Sequence, residues 1–381
     1  MMKRFQAVLL TVTVTLLAAL ASLNSISSEL YRFGNVDRAK SLAISDCSIG
    51  PLRDKHKQPF SCGSIWNRPI GSSARYLPAG IGIASSHHGD ENYYIVTDDS
   101  DPVVSWYDPK NWGSGRCNPE TKLNGSIHVP FNLTVPDAAP HNTPNNAAAF
   151  LQPDGRTLIQ MTALARCIAG GPVFGYAVPG YPTSYENIYG MGITGGHGGS
   201  GLSSIGGMIR LGELLTSSEP IQHALQLEVF GKKYLYGQPP GYRWPAVQAD
   251  SYAFDLNSET HYAGTNPSLV MGVLLAIPPS VDEAMLKLLT VPGRKLFHAL
   301  QDYGGYIVDD TAWDSHGLGI EKGVEEEFAV NYGYAFGGYS GDFHSDVNHL
   351  FQALQIVDNN APSSIGGGGD PRKPLPTSIG N

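Results

Sequence analysis

Charge is scarce in this chain. Only 15% of its 381 residues are Asp, Glu, Lys or Arg, against roughly 25% in an ordinary soluble domain. The 25 Lys and Arg are outnumbered by 34 Asp and Glu, for a net charge of −9. With no Lys/Arg cluster, nucleic acid is excluded as the natural partner. Familiar motifs are missing as well. No Gly-Lys-Ser/Thr follows a glycine run, so a phosphate loop fails, and no G-x-S-x-G elbow occurs, which removes an α/β-hydrolase. No H-E-x-x-H or C-x-x-C spacing marks a metal centre. Uninterrupted helical windows are few, because 45 Gly and 27 Pro break them, and a helical bundle is excluded. What is present is 41% hydrophobic residues, enough for a core, so the chain is not wholly disordered.

The first residues set the compartment. Lys3 and Arg4 precede the uncharged stretch Ala7–Leu23, and Ala19-Leu20-Ala21 offers the small-x-small pattern of a cleavage site. The stretch is shorter than the ~20 residues of a membrane span. Residues 1–21 therefore read as a signal peptide, with a retained N-terminal anchor as the alternative. Either way the rest of the chain is secreted or extracytoplasmic, and no integral membrane domain lies beyond that anchor. Four cysteines, Cys47, Cys62, Cys117 and Cys167, suit two disulfides in an oxidising compartment. Sequence allows three pairings; Cys47–Cys62 with Cys117–Cys167 closes the shorter loops.

Residues 22–45 read as a polar tether, 46–358 as a single β-rich domain, and 359–381, with four consecutive glycines and then prolines, as a flexible tail. Short β-branched and aromatic runs at Tyr93–Val96 and Val103–Tyr107 predict strands. Ala148–Gln152 and Arg156–Met161 flank the turn Pro153-Asp154-Gly155. Ala224–Phe230 alternates and leads through Gly231-Lys232 towards a second strand at Lys233–Tyr236, and Leu269–Ile277 reads as a buried strand. Helices are predicted over Ser280–Leu289, Pro292–Tyr303 and Ser345–Val357. The expectation is a mainly β fold, a large antiparallel β-sandwich or jelly roll with a few peripheral helices.

The densest local signal is Gly195-Gly196-His197-Gly198-Gly199-Ser200-Gly201. Glycines around a histidine let backbone approach a ligand and leave the imidazole uncovered, so His197 is a candidate general base or metal ligand, with Ser200 beside it. His223 opens a strand. Tyr242-Arg243-Trp244 places a cation between aromatics, suited to a sugar carboxylate or sugar face, and Asp250 and Tyr252 extend the same surface. Asp309 and Asp310 follow an apolar strand. If that strand is regular they point to opposite faces, and either needs a partner such as Asp250 or Glu186 to form an acid pair. Asp98, Asp99 and Asp101 offer oxygen ligands for Ca²⁺, but the run lacks the full EF-hand pattern and a plain acidic turn is the favoured explanation. No cofactor is implied.

Several strings, HVPFNLTVPDAAP, LQPDGRTLIQMTALARC, GGHGGSGLSSIGGMIRLGEL, GTNPSLVMGVLLAIPP and YGGYIVDDTAWD, together resemble a family of secreted bacterial proteins. The resemblance implies export and brings no activity with it. Nineteen Tyr and five Trp on loops over a β scaffold suit sugar rings. The sequence therefore points to an exported carbohydrate-active enzyme that cleaves a polysaccharide or cell-surface glycan. β-Elimination is slightly preferred: Arg243 on the sugar carboxylate, and His197 or a Tyr removing a proton. Hydrolysis by an acid pair is the close rival. The alternative is a non-catalytic glycan-binding or cell-surface structural protein, stabilised by Ca²⁺.

Overall fold

The computed structural model describes residues 47–118, 122–140, 142–178 and 186–380; the expected signal peptide and tether lie outside them. The chain divides into Met1–Cys47 and Ser48–Asn381, and the second unit carries all the elements that follow. Its strands are β1 (Ser48–Arg53), β2 (Tyr76–Pro78), β3 (Ser86–Val96), β4 (Val103–Tyr107), β5 (Leu123–His128), β6 (Ala148–Leu151), β7 (Thr157–Ala165), β8 (Val173–Ala177), β9 (Glu186–Asn187), β10 (Leu225–Phe230), β11 (Leu274–Ala276), β12 (Gly305–Thr311), β13 (Ser315–Glu321), β14 (Gln355–Val357) and β15 (Thr377–Ile379). The helices are α1 (Gly231–Tyr234), α2 (Glu283–Leu286), α3 (Val291–Asp302), α4 (Val324–Tyr332) and α5 (Asp342–Ala353).

Among the described residues, thirteen strands form one sheet in the order β2-β14-β11-β12-β10-β13-β3-β6-β7-β8-β4-β5, with β9 on β7. The fold is mainly β, as expected. The pairing differs from the antiparallel expectation: β10–β12, β13–β3, β3–β6 and β4–β8 are parallel, while β10–β13, β6–β7 and β11–β14 are antiparallel. This is a large mixed sheet, and a jelly roll is not what its strand order describes. The cause lies in residues that short-range patterning misses. β3 begins at Ser86, several polar residues before the aromatic run, and β13 is the glycine-broken Ser315-His316-Gly317-Leu318-Gly319-Ile320-Glu321.

The helix expected over Pro292–Tyr303 forms as α3. The one over Ser345–Val357 forms as α5, which ends at Ala353 and gives way to β14, while Ser280–Leu289 is helical only over the four residues of α2. The α3 start is capped by the Thr290 side chain accepting from Gly293 N, with Pro292 in the first turn, and Asp282 caps α2. Lys233–Tyr236 does not form a strand; α1 takes the turn after β10. The sheet packs one apolar face on α3 and α5 through Leu225, Leu227, Ile307, Leu318, Leu300 and Phe351, all essentially buried.

The segment read as a flexible tail is built into the domain. Gly71 N donates to Gly366 O at 2.9 Å and Ser73 N to Gly368 O at 3.0 Å. β15 then pairs in parallel with β1. Its glycines Gly366–Gly369 all have positive φ, so they serve a defined path that other residues rarely take.

All four cysteines are disulfide-bonded, with Cys117 joined to Cys167. Two disulfides suggest an extracytoplasmic protein. Among the described residues no helix is long and apolar enough to cross a membrane. The Cys117–Cys167 bridge spans a separation of 50 residues, and its loop entropy is worth about 4 kcal/mol. The double variant Cys117→Ser/Cys167→Ser is expected to lose about 2–4 kcal/mol in denaturant unfolding; an unchanged midpoint would contradict this.

Candidate functional site

The site begins with an alternation in β10. Leu225, Leu227 and Val229 enter the helix-covered core, so Gln226 and Glu228 go to the other face, where both are fully buried. On that face β13 supplies glycines: Gly317 stands opposite both Glu228 and His88, and Gly319 opposite Asp90. A β-carbon on Gly317 would collide with Glu228 Oε2, and one on Gly319 with Gln226 Oε1. The bare backbone leaves a trough across β13. Through it Glu228 Oε2 reaches His88 Nε2 at 3.2 Å, and Gln226 accepts from Asn92 Nδ2 at 2.9 Å.

β12 adds the two aspartates. Leu227 pairs with Ile307 but Glu228 pairs with Asp309, so Val308 is an extra residue and the strand is bulged. A bulge breaks the two-residue alternation and re-aims side chains. The expected divergence of Asp309 and Asp310 is thereby overturned: carboxylate oxygens of Asp250, Asp309 and Asp310 all lie within 4.8 Å of one another. Tyr252 donates to Asp310 Oδ1 at 2.6 Å and Tyr262 to Asp250 Oδ2 at 2.5 Å. Asp309 Oδ1 accepts from Asp310 N at 2.9 Å and from Gly199 N at 3.2 Å.

The glycine loop closes over this face. Ser200 N donates to Val308 O, and Gly195 N to Gly201 O. A β-carbon on Gly199 would stand 2.7 Å from Asp309 Oδ1 and 2.8 Å from Asp250 Oδ2, so only glycine admits both carboxylates there. His197, fully buried, sits with Nδ1 3.5 Å from Asp309 Oδ2 and Nε2 3.8 Å from Asp90 Oδ2. Asn145 Nδ2 lies 3.4 Å from both Asp90 Oδ2 and Asp309 Oδ2.

Crowded burial sets the protonation. Asp310 is pushed up to about 7, first by burial and then by the charge of Asp309. Burial also raises Asp250, helped by Asp309 and Asp310; part of the residue reaches solvent, but its carboxylate is enclosed by the tyrosine and the two aspartates. Glu228 rises for the same reason, with Asp90 and Asp309 as the nearby charges. His88 is lowered by burial, against the pull of Asp90.

The structure thus gathers His197, Asp250, Tyr252, Asp309 and Asp310 into one cluster. It does not bring the other candidates there. His223 bonds Ala224 O and Glu213; burial opposes its charge, but Glu213 outweighs burial and raises it. Arg243 is committed to Asp358, donating to its backbone carbonyl at 2.8 Å. Tyr242 is exposed, and Trp244 packs against a hydrophobic cluster. Ser200 is fully buried, with its hydroxyl accepting from Leu202 N. Glu186 is raised to about 7 by burial, and its carboxylate lies by Asn187 N and Gly192 N. Asp98 accepts from Ser100 and its own N–H donates to Asp101, a turn closed on itself.

Sequence reasoning missed Asp90, His88, Glu228 and Asn145. The signal was present in Ser-His-His-Gly-Asp-Glu-Asn, where His88, Asp90 and Asn92 are spaced by two, and in the polar members of β10.

The raised Asp310 has a consequence for stability. Its ordinary value is 3.8 and its folded value about 7, so the folded state holds an extra proton between them. That contribution is full below pH 3.8 and is lost as pH rises to about 7. His87 and His316, lowered by burial to about 4, act in the opposite sense over pH 4 to 6.5. The test is therefore a difference. Relative to wild type, Asp310→Asn is expected to gain urea midpoint from pH 4 to about 7 and then to level off; a flat difference throughout would contradict the raised value.

Comparison of the chain with family models, with curated proteins and with solved structures finds no match in any of the three.

Proposed function

We propose that this chain is an extracytoplasmic glycan hydrolase working through the buried carboxylates Asp309 and Asp310. The observation that carries the reading is a protonated acid beside hydrogen-bonded carboxylates. Asp310 keeps its proton to about pH 7, while Asp309 takes two backbone N–H bonds on Oδ1 and only a long amide contact from Asn145 on Oδ2. A general acid paired with a carboxylate at close range is the arrangement for glycosidic cleavage with retention, where the carboxyl groups stand about 5–5.5 Å apart. Asp310 donates its proton to the leaving oxygen. Asp309 Oδ2 attacks the anomeric carbon, and water, deprotonated by Asp310, then releases the sugar.

Two exposed tryptophans support a sugar substrate. Trp112 lies against Gly198, where a β-carbon would be 3.6 Å from its Cη2, and is stacked on Tyr176. Trp313 is packed on His88 with ring centroids 5.0 Å apart. Flat amphipathic faces beside an acid cluster suit the apolar face of a sugar ring. β-Elimination loses its preference because Arg243, the intended neutraliser of a sugar carboxylate, is held by Asp358. A polysaccharide or cell-surface glycan of low charge is therefore the favoured substrate.

The test is reducing-end release across a panel of neutral glycans. Release is expected without the near-ultraviolet absorbance of an unsaturated product, and with a rate that falls above about pH 7. Asp310→Asn should reduce turnover by about 10²–10⁴-fold while leaving the near-ultraviolet circular dichroism unchanged. Glycan binding with no turnover on any substrate would overturn the reading in favour of a binding or structural protein, and absorbance growth would restore the lyase.

A further inference from the structure

Next to the acid pair lies a second group that the hydrolytic scheme does not use. Asp90 comes from β3, His197 from the glycine loop and Glu228 from β10, and one ligand atom of each lies within 4.8 Å of the others. The His197 side chain is 0% exposed, and neither of its ring nitrogens has a hydrogen-bond partner. Leaving a buried polar group unsatisfied costs about 1–3 kcal/mol, so an imidazole aimed between two carboxylates without bonding either is a site awaiting a further atom. Glu228 adds a crowded carboxyl: Oε2 is held by His88, Oε1 is buried with no donor among the described residues, and the group lies against Asp90.

We propose that Asp90, His197 Nε2 and Glu228 Oε1 bind a divalent transition cation, Zn²⁺ or Mn²⁺. One imidazole with two carboxylates is a borderline donor set that favours these ions over Ca²⁺, which takes six to eight oxygens. Ligands at about 2.0–2.2 Å from such an ion stand closer together than the 3.8 Å between His197 Nε2 and Asp90 Oδ2, so binding draws the side chains inward. The surroundings have the form of an outer shell. His197 Nδ1 lies 3.5 Å from Asp309 Oδ2, within reach of an orienting bond once Nε2 takes the metal, and His88 fixes the carboxylate of Glu228. Gly317, which admits the Glu228 side chain across β13, is part of the same provision. A dication also offsets the repulsion among Asp90, Glu228 and Asp309.

The test uses the full chain, stripped with chelator and titrated with Zn²⁺, Mn²⁺ or Ca²⁺ alone, read by calorimetry and by the thermal midpoint. One Zn²⁺ or Mn²⁺ per chain is expected, with a midpoint raised by several degrees. His197→Ala and the isosteric Glu228→Gln should each weaken binding at least 100-fold; Glu228→Gln guards against a variant that fails to fold. Failure of Zn²⁺ and Mn²⁺ to bind, a response to Ca²⁺ alone, or undiminished binding in folded Glu228→Gln overturns the site. Metal uptake is read without substrate, so this result is separable from the fate of the hydrolase reading.

Discussion

Carboxylates cannot be crowded out of water and all remain ionised. That constraint governs the centre of this protein, where Asp90, Glu228, Asp250, Asp309 and Asp310 share one polar face. Some must hold protons, and the neighbours decide which. Backbone N–H groups gather on Asp309, tyrosine hydroxyls on Asp250 and Asp310, and histidines beside Asp90 and Glu228. The crowding that is costly for stability is what makes a proton donor available near neutrality.

Backbone geometry solves the accompanying problem of space. Side chains as long as those of Glu228 and Gln226 cross a neighbouring strand only because that strand has no side chains at Gly317 and Gly319. Two consecutive aspartates converge only because Val308 is inserted against β10. The loop Gly195–Gly201 comes close enough to donate a backbone N–H to Asp309 because a β-carbon is absent at Gly199. Glycine abundance, a weak statement about composition, thus resolves into specific close approaches beneath and above the acids.

Much of the local structure was legible. The strand Val103–Tyr107 and the capped helix after Thr290 follow from β-branched runs and capping chemistry. The mixed sheet was not, because β3–β13 and β10–β12 join segments far apart in sequence, and no local pattern encodes that pairing. The site was half legible: the glycine-flanked His197 and the Asp309-Asp310 pair stand out as strings. Asp90 and Glu228 do not, since each becomes informative only when the strands carrying them are laid side by side. Arg243 misled for the converse reason. Its aromatic neighbours in sequence gave it a role that its partner in space, Asp358, takes away.

The small sheet of β1 and β15 places a condition on how the molecule is made. Ser48 pairs with Thr377, so one of the earliest strands of the domain to be synthesised waits for a partner among the last. Until then its edge is open to any passing strand, and pairing across such a separation is slow. A chain threaded end-first through a ribosome tunnel or a membrane pore therefore fastens this clasp only when β15 emerges. Completion of the domain waits for β15, and a nascent chain stalled short of it leaves β1 without its partner.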